Sequence, residues 1–188
     1  MVIRSSSLLV KNLELGASIS CNGCCLTVRK VFNSVVSVDL VQETLRITNL
    51  DKISVSEYVN LERSLNFGEE VGGHLVSGHI LTIGEICNKH KSLLNYELWI
   101  KLKNSSVLKY LFYKGFICID GISLTVGLIR ENIFCIYLIP ETLSRTTIGE
   151  KKIGDSVNIE IDLYTKISVD SIERFLLKNI CNQKFNNI

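Results

Sequence analysis

Short apolar runs, many of them rich in β-branched residues or alternating with polar ones, recur along the chain and predict β-strands. The runs are residues 34–41, 58–65, 97–102, 132–139 and 156–163. Turn-forming pairs separate them, as at Asn22-Gly23, Gly72-Gly73 and Asp120-Gly121. Because a sheet of short strands exposes unpaired edges unless it closes, the pattern favours small Greek-key or closed barrels.

Two segments have the apolar spacing of a helix instead. Residues 104–114 place a possible cap at Asn104 or Ser105 before an apolar face. Near the C-terminus, Asp170 and Glu173 form a capping box, which predicts a helix start. The apolar positions of this second helix are Val169, Ile172, Phe175, Leu176 and Ile180. Such a helix either covers a barrel end or meets other subunits, and we favour the second.

The chain also repeats itself at an offset of 98 residues. CNGCCLTV at 21–28 aligns without a gap with IDGISLTV at 119–126. At the same offset QETL (42–45) meets PETL (140–143), and VNLE (59–62) meets VNIE (157–160). A register that holds over about forty residues indicates a duplicated module.

Composition narrows the class of protein. In 188 residues, 46% are hydrophobic and 21% charged, which is typical of a globular protein and not of a disordered one. The net charge of +2 comes without a basic block, so small neutral partners are favoured over nucleic acid or membrane surfaces. The seven cysteines are odd in number, with two adjacent, and do not resemble a disulfide framework, so we expect reduced thiols. With no signal-peptide core or spanning run, we expect a cytoplasmic protein.

Cys21, Cys24 and Cys25 crowd around a turn like part of a metal site. The second module has Ile, Ile and Ser at these positions, so no metal-ligand spacing survives the repeat. We therefore interpret Cys21 and Cys24 as core residues and position 25 as polar. On a strand, Cys25 shares a face with Thr27, and the second module repeats this arrangement with Ser and Thr.

Taken together, these motifs and the junction GGHLVSGH (72–79) closely resemble those of the riboflavin synthase family. The resemblance implies an all-β fold with a minor helical part: two tandem six-stranded Greek-key barrels, the first incomplete, and a C-terminal α-helix. Its implied domains are barrel one (1–74), barrel two (75–165) and an oligomerisation helix (166–188). The expected assembly is a homotrimer in which module one of one subunit faces module two of its neighbour.

The reaction that the resemblance implies joins two molecules of one substrate. Two 6,7-dimethyl-8-ribityllumazines dismutate to riboflavin and 5-amino-6-(D-ribitylamino)uracil, in the last step of riboflavin biosynthesis, without a cofactor or a metal. One molecule accepts a four-carbon unit and the other loses a methyl proton. The two pockets should therefore differ, as a thiol at Cys25 and a hydroxyl at Ser123 do.

The resemblance also implies the site residues. The catalytic candidates are Cys25, Ser123, His79 and Asp162. The residues expected to bind substrate are Thr27, Asp39, Leu40, Val41, Gln42, Glu43, Thr44, Gly78, Ile80, Lys114, Leu124, Thr125, Tyr137, Leu138, Ile139, Pro140, Glu141 and Thr142. Structural roles stay open for several of them: Lys114 as a surface charge, Asp162 as an exposed acid, and the Glu-Thr pairs as turn-stabilising residues. For His74, a structural role at the Gly72-Gly73 turn is as well supported as a position facing the ligand.

Two other classes of function compete with the enzyme. A carrier similar to lumazine protein would bind one lumazine or flavin without catalysis, and an interaction scaffold would bind neither. A carrier can let one pocket decay, whereas here both polar pairs are present. A scaffold gives no reason for polar residues at matching positions. We therefore favour the enzyme, with the carrier as the alternative.

The repeat leaves one segment without a partner. Met1 aligns with Trp99, so module one has no equivalent of Ser77 to Leu98. In the family the corresponding piece begins with Phe-Thr-Gly and supplies the first strand of barrel one. For the 188-residue form we expect an open sheet edge, low stability and weak activity. In-frame upstream sequence encoding about 20 residues with that signature would test this expectation, by analogy with the roughly six strands that close such a barrel.

Overall fold

The computed structural model describes residues 1–92 and 96–185, with side chains of the last helix up to residue 179. The strands are β1 (Val2–Arg4), β2 (Ser18–Cys21), β3 (Cys24–Phe32), β4 (Val35–Val38), β5 (Leu61–Arg63), β6 (Thr82–Lys91), β7 (Tyr96–Leu102), β8 (Phe116–Ile119), β9 (Ile122–Arg130), β10 (Ile133–Leu138) and β11 (Ser156–Ile161). The α-helices are α1 (Ser7–Val10), α2 (Gln42–Ile47), α3 (Pro140–Arg145) and α4 (Leu163–Phe185). Short 3-10 helices span Asn49–Lys52, Ser105–Tyr110 and Thr147–Gly149.

The duplication predicted from the sequence is visible in the element bounds. Adding 98 to the residue numbers turns β2 into β8, β3 into β9 and α2 into α3, with identical ends. The second module is a closed barrel with the strand order β10-β7-β6-β11-β8-β9, and the first is a five-stranded sheet with the order β1-β4-β3-β2-β5. Closed barrel, second sheet and C-terminal helix confirm the predicted fold class.

The two sheets differ at one place. Strand β6 has no equivalent in module one, where the described residues leave the sheet open between β1 and β5. A groove of about 1200 Å³ lies there, lined by residues 1–4 of β1 and its N-terminal neighbour and by residues 53–59 before β5. Within the described residues, no helix combines the length and apolar character that crossing a membrane requires.

Each module has its own apolar core, because alternate side chains of every strand point inward. In β3 the inward positions are Cys24, Leu26 and Val28, and Cys21 joins them from β2. This confirms the assignment of Cys21 and Cys24 to the core. In the barrel, the fully buried side chains include Phe134, Ile100 of β7, Ile117 and Ile119 of β8, and Ile159 of β11. Burial of each such side chain stabilises the fold by about 1.5–3 kcal/mol.

The two modules contact each other through equivalent residues. Gly23 and Gly121 lie back to back, so that a Cβ added at Gly23 would be 2.5 Å from the Gly121 nitrogen. Asn158 Nδ2 donates to the Asn22 carbonyl at 2.8 Å, and Asn60 Nδ2 donates to the Asp120 carbonyl at 2.9 Å. These are one contact made twice, since 60 and 158 are equivalent positions, as are 22 and 120. The pairing is that of an isologous interface within a single chain.

Asp120 is a fully buried carboxylate at this interface. Its Oδ1 accepts hydrogen bonds from the Asn158 amide at 2.7 Å and from Asn49 Nδ2 at 3.0 Å, and Lys151 Nζ lies 3.4 Å from Oδ2. Burial raises the pKa of Asp120, although Lys151 and the hydrogen bonds oppose the increase. The equivalent residue in module one is Asn22, so an amide fits the same turn.

This predicts a pH dependence of stability. A carboxyl whose folded pKa lies above its unfolded value stabilises the fold below about pH 4, and that stabilisation is lost as the pH rises through the folded pKa. Asp120→Asn does not titrate and should gain stability relative to the wild type between pH 4 and pH 7. Urea unfolding at both pH values measures the difference. A difference in unfolding free energy that does not change with pH would contradict the prediction.

The structure corrects several helix predictions. QETL and PETL, which directly follow the predicted strands 34–41 and 132–139, are the first turns of α2 and α3, and Pro140 occupies the first turn of α3. Residues 105–110 form a 3-10 helix, and Asn104 caps it by accepting from the Ser106 amide at 3.0 Å. The prediction that Asp170 and Glu173 form a capping box at a helix start is wrong, because α4 begins two turns earlier, at Leu163.

The start of α4 is capped by Asp162 instead. Its Oδ2 accepts from the amide and the hydroxyl of Thr165, both at 2.8 Å. Asp170 accepts from the Tyr110 hydroxyl at 2.6 Å and from Lys166 Nζ at 2.7 Å, and Glu173 pairs with Lys109. The two acids therefore attach α4 to the barrel and do not begin the helix.

Candidate functional site

A cleft of about 950 Å³ lies between the modules and brings together residues of both. Cys25 lines it from module one and Ser123 from module two, and the crossing segment 70–78 runs along it. Of the predicted site residues, Cys25, Gly78 and Ser123 line this cleft. The two modules are expected to face each other across subunits. Within a single chain, they also share this cleft.

A tight hairpin presents Cys25. Asn22 and Gly23 both have positive φ angles, 44° and 76°, which is the geometry of a two-residue turn between twisted strands. Strand β3 then alternates, so that Cys25 and Thr27 are exposed while their neighbours enter the core. In β9, Thr125 is exposed and Ser123 half-buried, in keeping with the predicted common face.

The polar pairs on the two hairpins are reversed copies of each other. In module one Cys25 lies opposite Ser20, and in module two Ser123 lies opposite Cys118. Burial raises the pKa of the Cys118 thiol to about 12, and that of Cys21 likewise to about 12. These thiols stay protonated at neutral pH and are poor nucleophiles, whereas Cys25 is exposed.

His74, which the sequence does not place among the catalytic or substrate-binding candidates, lies beside Ser123. Its Nδ1 lies 2.7 Å from the Ser123 hydroxyl, and its ring stacks on Phe116 with centroids 5.0 Å apart. Burial lowers the pKa of His74, opposed by the nearby Asp162 and Glu160 carboxylates. A neutral imidazole can accept the proton of a neighbouring hydroxyl. The geometry therefore allows His74 to act as a base toward Ser123.

Two glycines let the crossing segment approach both hairpins. Gly73 has φ of +92°, and a Cβ there would overlap the Ser123 hydroxyl. Gly78 has φ of +79°, and a Cβ there would lie 2.5 Å from the Cys25 Cβ. Only glycine combines these backbone angles with such close contact. The motif GGHLVSGH therefore packs against Ser123 of one module and Cys25 of the other.

The other two catalytic candidates, His79 and Asp162, differ in exposure. His79 is exposed, and its Nδ1 lies 3.0 Å from the Ser77 hydroxyl. Asp162 is buried as the cap of α4, so the picture of an exposed surface acid is wrong. Among the substrate-binding candidates, Lys114 is exposed, with positive φ and its Nζ 5.2 Å from the Tyr113 ring centroid.

The remaining candidates fall into two equivalent strand-to-helix corners. Asp39, Leu40, Val41, Gln42, Glu43 and Thr44 join β4 to α2, while Tyr137, Leu138, Ile139, Pro140, Glu141 and Thr142 join β10 to α3. The side chains of Ile80 and Leu138 are buried, and Leu124 packs against the barrel core. Glu43 pairs with Arg46 and Glu141 with Arg145 on exposed helix surfaces.

Across residues 1–92 and 96–179, no three His, Cys, Asp or Glu side chains are grouped so as to hold a metal ion. The six described cysteines form no disulfide bonds with one another. Ile180, one of the predicted apolar helix positions, and Cys181, the seventh cysteine, lie outside the part of the chain whose side chains are described.

Comparison with known proteins assigns both modules to one family. Residues 2–64 and 77–162 match the lumazine binding domain. The riboflavin synthase of Buchnera aphidicola subsp. Baizongia pistaciae is 64% identical over 174 residues, covering 93% of this chain and 82% of the relative. That of Escherichia coli K12 is 52% identical over 177 residues, with 93% and 83% covered. The crystal structure of LumP complexed with riboflavin superposes with a TM-score of 0.77 at 26% identity, covering 85% of this chain and 86% of the other.

Proposed function

The chain belongs to the riboflavin synthase family of tandem lumazine-binding proteins, and we propose that it catalyses the dismutation of two 6,7-dimethyl-8-ribityllumazines to riboflavin and 5-amino-6-(D-ribitylamino)uracil. The observation that carries the proposal is the pair of equivalent hairpins with different reactive groups, a thiol at Cys25 and a hydroxyl at Ser123. Two copies of one compound in two equivalent pockets can be held for reaction with each other. Such positioning supplies several kcal/mol, part of the roughly 7–11 kcal/mol available from orientation.

The two pockets differ in the way the reaction requires. The Cys25 thiol is exposed, so that it can add as a nucleophile to the lumazine that accepts the four-carbon unit. Ser123 is hydrogen-bonded to a half-buried imidazole, and His74 can take up the methyl proton of the lumazine that donates the unit. The same groups can return protons as the products form. Free thiols at the six described cysteines also support a cytoplasmic location for the reaction.

Incubation of the purified chain with the lumazine tests the proposal. We expect riboflavin fluorescence to increase beyond one equivalent of the protein, because the reaction turns over. The similarity to LumP favours a second candidate, a carrier that binds lumazine or riboflavin without chemistry. Tight lumazine binding without formation of riboflavin would support that carrier. The higher identity to riboflavin synthases, 64% against 26%, supports the enzyme.

A homotrimer is part of the proposal, and α4 supplies the surface for it. On the described part of this helix the large apolar side chains Ile172, Phe175, Leu176 and Leu177 are all more than half exposed. Contiguous exposed apolar side chains of this kind mark interaction surfaces. The face that carries Asp170 and Glu173 is held on the barrel, so Phe175 on the opposite side is free to contact neighbouring subunits.

Charged residues on this surface should abolish assembly. Phe175→Glu with Leu176→Glu is expected to give monomers with little activity, since burying two carboxylates in an apolar contact is unfavourable. Light scattering after size exclusion measures the mass. Lys103→Glu with Lys152→Glu adds the same number of carboxylates to exposed barrel positions and should stay trimeric. A trimer from the α4 variant would exclude this helix from the interface.

Mixing the Cys25→Ser and Ser123→Ala variants distinguishes pockets paired across subunits from pockets paired within a chain. Cys25→Ser retains Ser123, and Ser123→Ala retains Cys25. If neighbouring subunits share a site, random mixing should restore about a quarter of the wild-type turnover, because about one site in four combines both intact residues. The variants are unfolded together, refolded and assayed. A mixture no more active than its components would assign both residues of a site to one chain.

A further inference from the structure

Glu160 is a buried carboxylate on β11 that the proposed chemistry does not use. Its Oε1 accepts from the Ser77 amide at 2.7 Å and from the Ser77 hydroxyl at 2.8 Å. Its Oε2 accepts from the Gly78 amide at 3.1 Å. Hydrogen bonds to an ionised acceptor are stronger than those between neutral groups. Both oxygens of the carboxylate are thus committed to the crossing segment.

The same segment packs directly on the thiol-bearing residue of the other module. The Gly78 carbonyl accepts from the Cys25 amide at 2.9 Å. An added Cβ at Gly78 would be 2.5 Å from the Cys25 Cβ and 2.8 Å from its nitrogen. A carboxylate of module two therefore holds a piece of backbone against Cys25 of module one.

The repeat offers an internal comparison. Glu62 is the equivalent of Glu160, since both occupy the last position of the VNLE and VNIE motifs. Glu62 is exposed on β5, and its side-chain carboxylate accepts no hydrogen bond from the part of the chain that the structure describes. The hydrogen bonds at Glu160 are therefore a property of its contact with Ser77 and Gly78, and the repeated strand alone does not require them.

We propose that Glu160 is a positioning residue that holds Ser77 and Gly78 against Cys25 and so controls both the placement and the accessibility of the thiol. Its effect on turnover rests on the proposed function, whereas its effect on accessibility does not. Glu160→Gln keeps the size of the side chain. The amide nitrogen is a donor, however, and it would face the amide of either Ser77 or Gly78, so one hydrogen bond is lost.

Alkylation of Cys25 by iodoacetamide, followed by mass spectrometry of the Cys25 peptide, measures accessibility without any riboflavin chemistry. Loss of a hydrogen bond to a charged group should open the segment and speed alkylation by about tenfold in Glu160→Gln. The value of kcat should fall in Glu160→Gln. Glu160→Asp keeps the charge, so it should restore part of the turnover and part of the protection from alkylation. Glu62→Gln is the matched control and should alkylate at the wild-type rate.

A cooperatively folded Glu160→Gln with wild-type rates of alkylation and turnover would overturn the proposal. If this variant does not fold, Ser77→Ala decides, because it removes one of the three bonds and should speed alkylation by about threefold. An unchanged rate in Ser77→Ala would then overturn it. If the wild-type chain forms no riboflavin at all, the alkylation rates still test the role of Glu160 independently of the proposed function.

Discussion

Cys25→Ser is expected to lower turnover by about 100-fold or more, since removal of a group that takes part in the chemical step typically costs 10²–10⁴-fold. Lumazine binding should change little, because serine keeps the hydrogen-bonding capacity and nearly the size of cysteine. The loss should therefore appear in kcat while KM stays close to its wild-type value. Steady-state kinetics of riboflavin formation separates the two.

The neighbouring thiol provides the control for this change. Cys24 faces the core, and burial raises its pKa to about 11. Cys24→Ser should destabilise the fold, because it buries a hydroxyl in an apolar core, yet the folded fraction should retain its kcat. Equal and mild effects on turnover from Cys25→Ser and Ser123→Ala would mean that the difference between the two hairpins is unrelated to the chemistry.

Asn158→Ala should be the most destabilising change at the module interface. Its fully buried side chain donates to the Asn22 carbonyl and accepts from the Asn49 amide at 2.6 Å. Alanine leaves two buried backbone groups without partners, at about 1–3 kcal/mol each, so the expected loss is about 2–6 kcal/mol. The midpoint of urea unfolding measures it.

The equivalent residue in module one is a matched control. Asn60 makes the same two contacts, with the Asp120 carbonyl and the Thr147 amide, but Asn60 and Thr147 are only half-buried. Water can replace part of what Asn60→Ala removes, so this variant should lose less stability than Asn158→Ala. Equal losses would show that burial does not govern the strength of the interface.

The repeat made most of the fold predictable. Once CNGCCLTV was aligned with IDGISLTV, the positions of two hairpins and the inward or outward direction of Cys24 and Cys25 followed from strand periodicity. Helices α2 and α3 were missed because six residues are too few to show a helical period. Pro140 was a usable signal, since proline is favoured in the first turn of a helix.

Contacts between distant segments could not be predicted in the same way. Asp170 and Glu173 have the spacing of a capping box, but their partners Tyr110 and Lys109 come from the barrel. His74 meets Ser123 only because the crossing segment folds back over 49 residues. Glu160 carried one local signal, its recurrence as Glu62, but nothing in either motif indicates that it binds Ser77. These pairings depend on how the modules dock.

The ratio of lumazine consumed to riboflavin formed tests the central claim most directly, because it shows whether two copies of one substrate react with each other. Absorbance follows the lumazine and fluorescence follows the riboflavin in the same sample of the purified chain. We expect two lumazines to disappear for each riboflavin formed, with one equivalent of the pyrimidinedione released. Lumazine that binds but is not consumed, with no riboflavin produced, would contradict the claim.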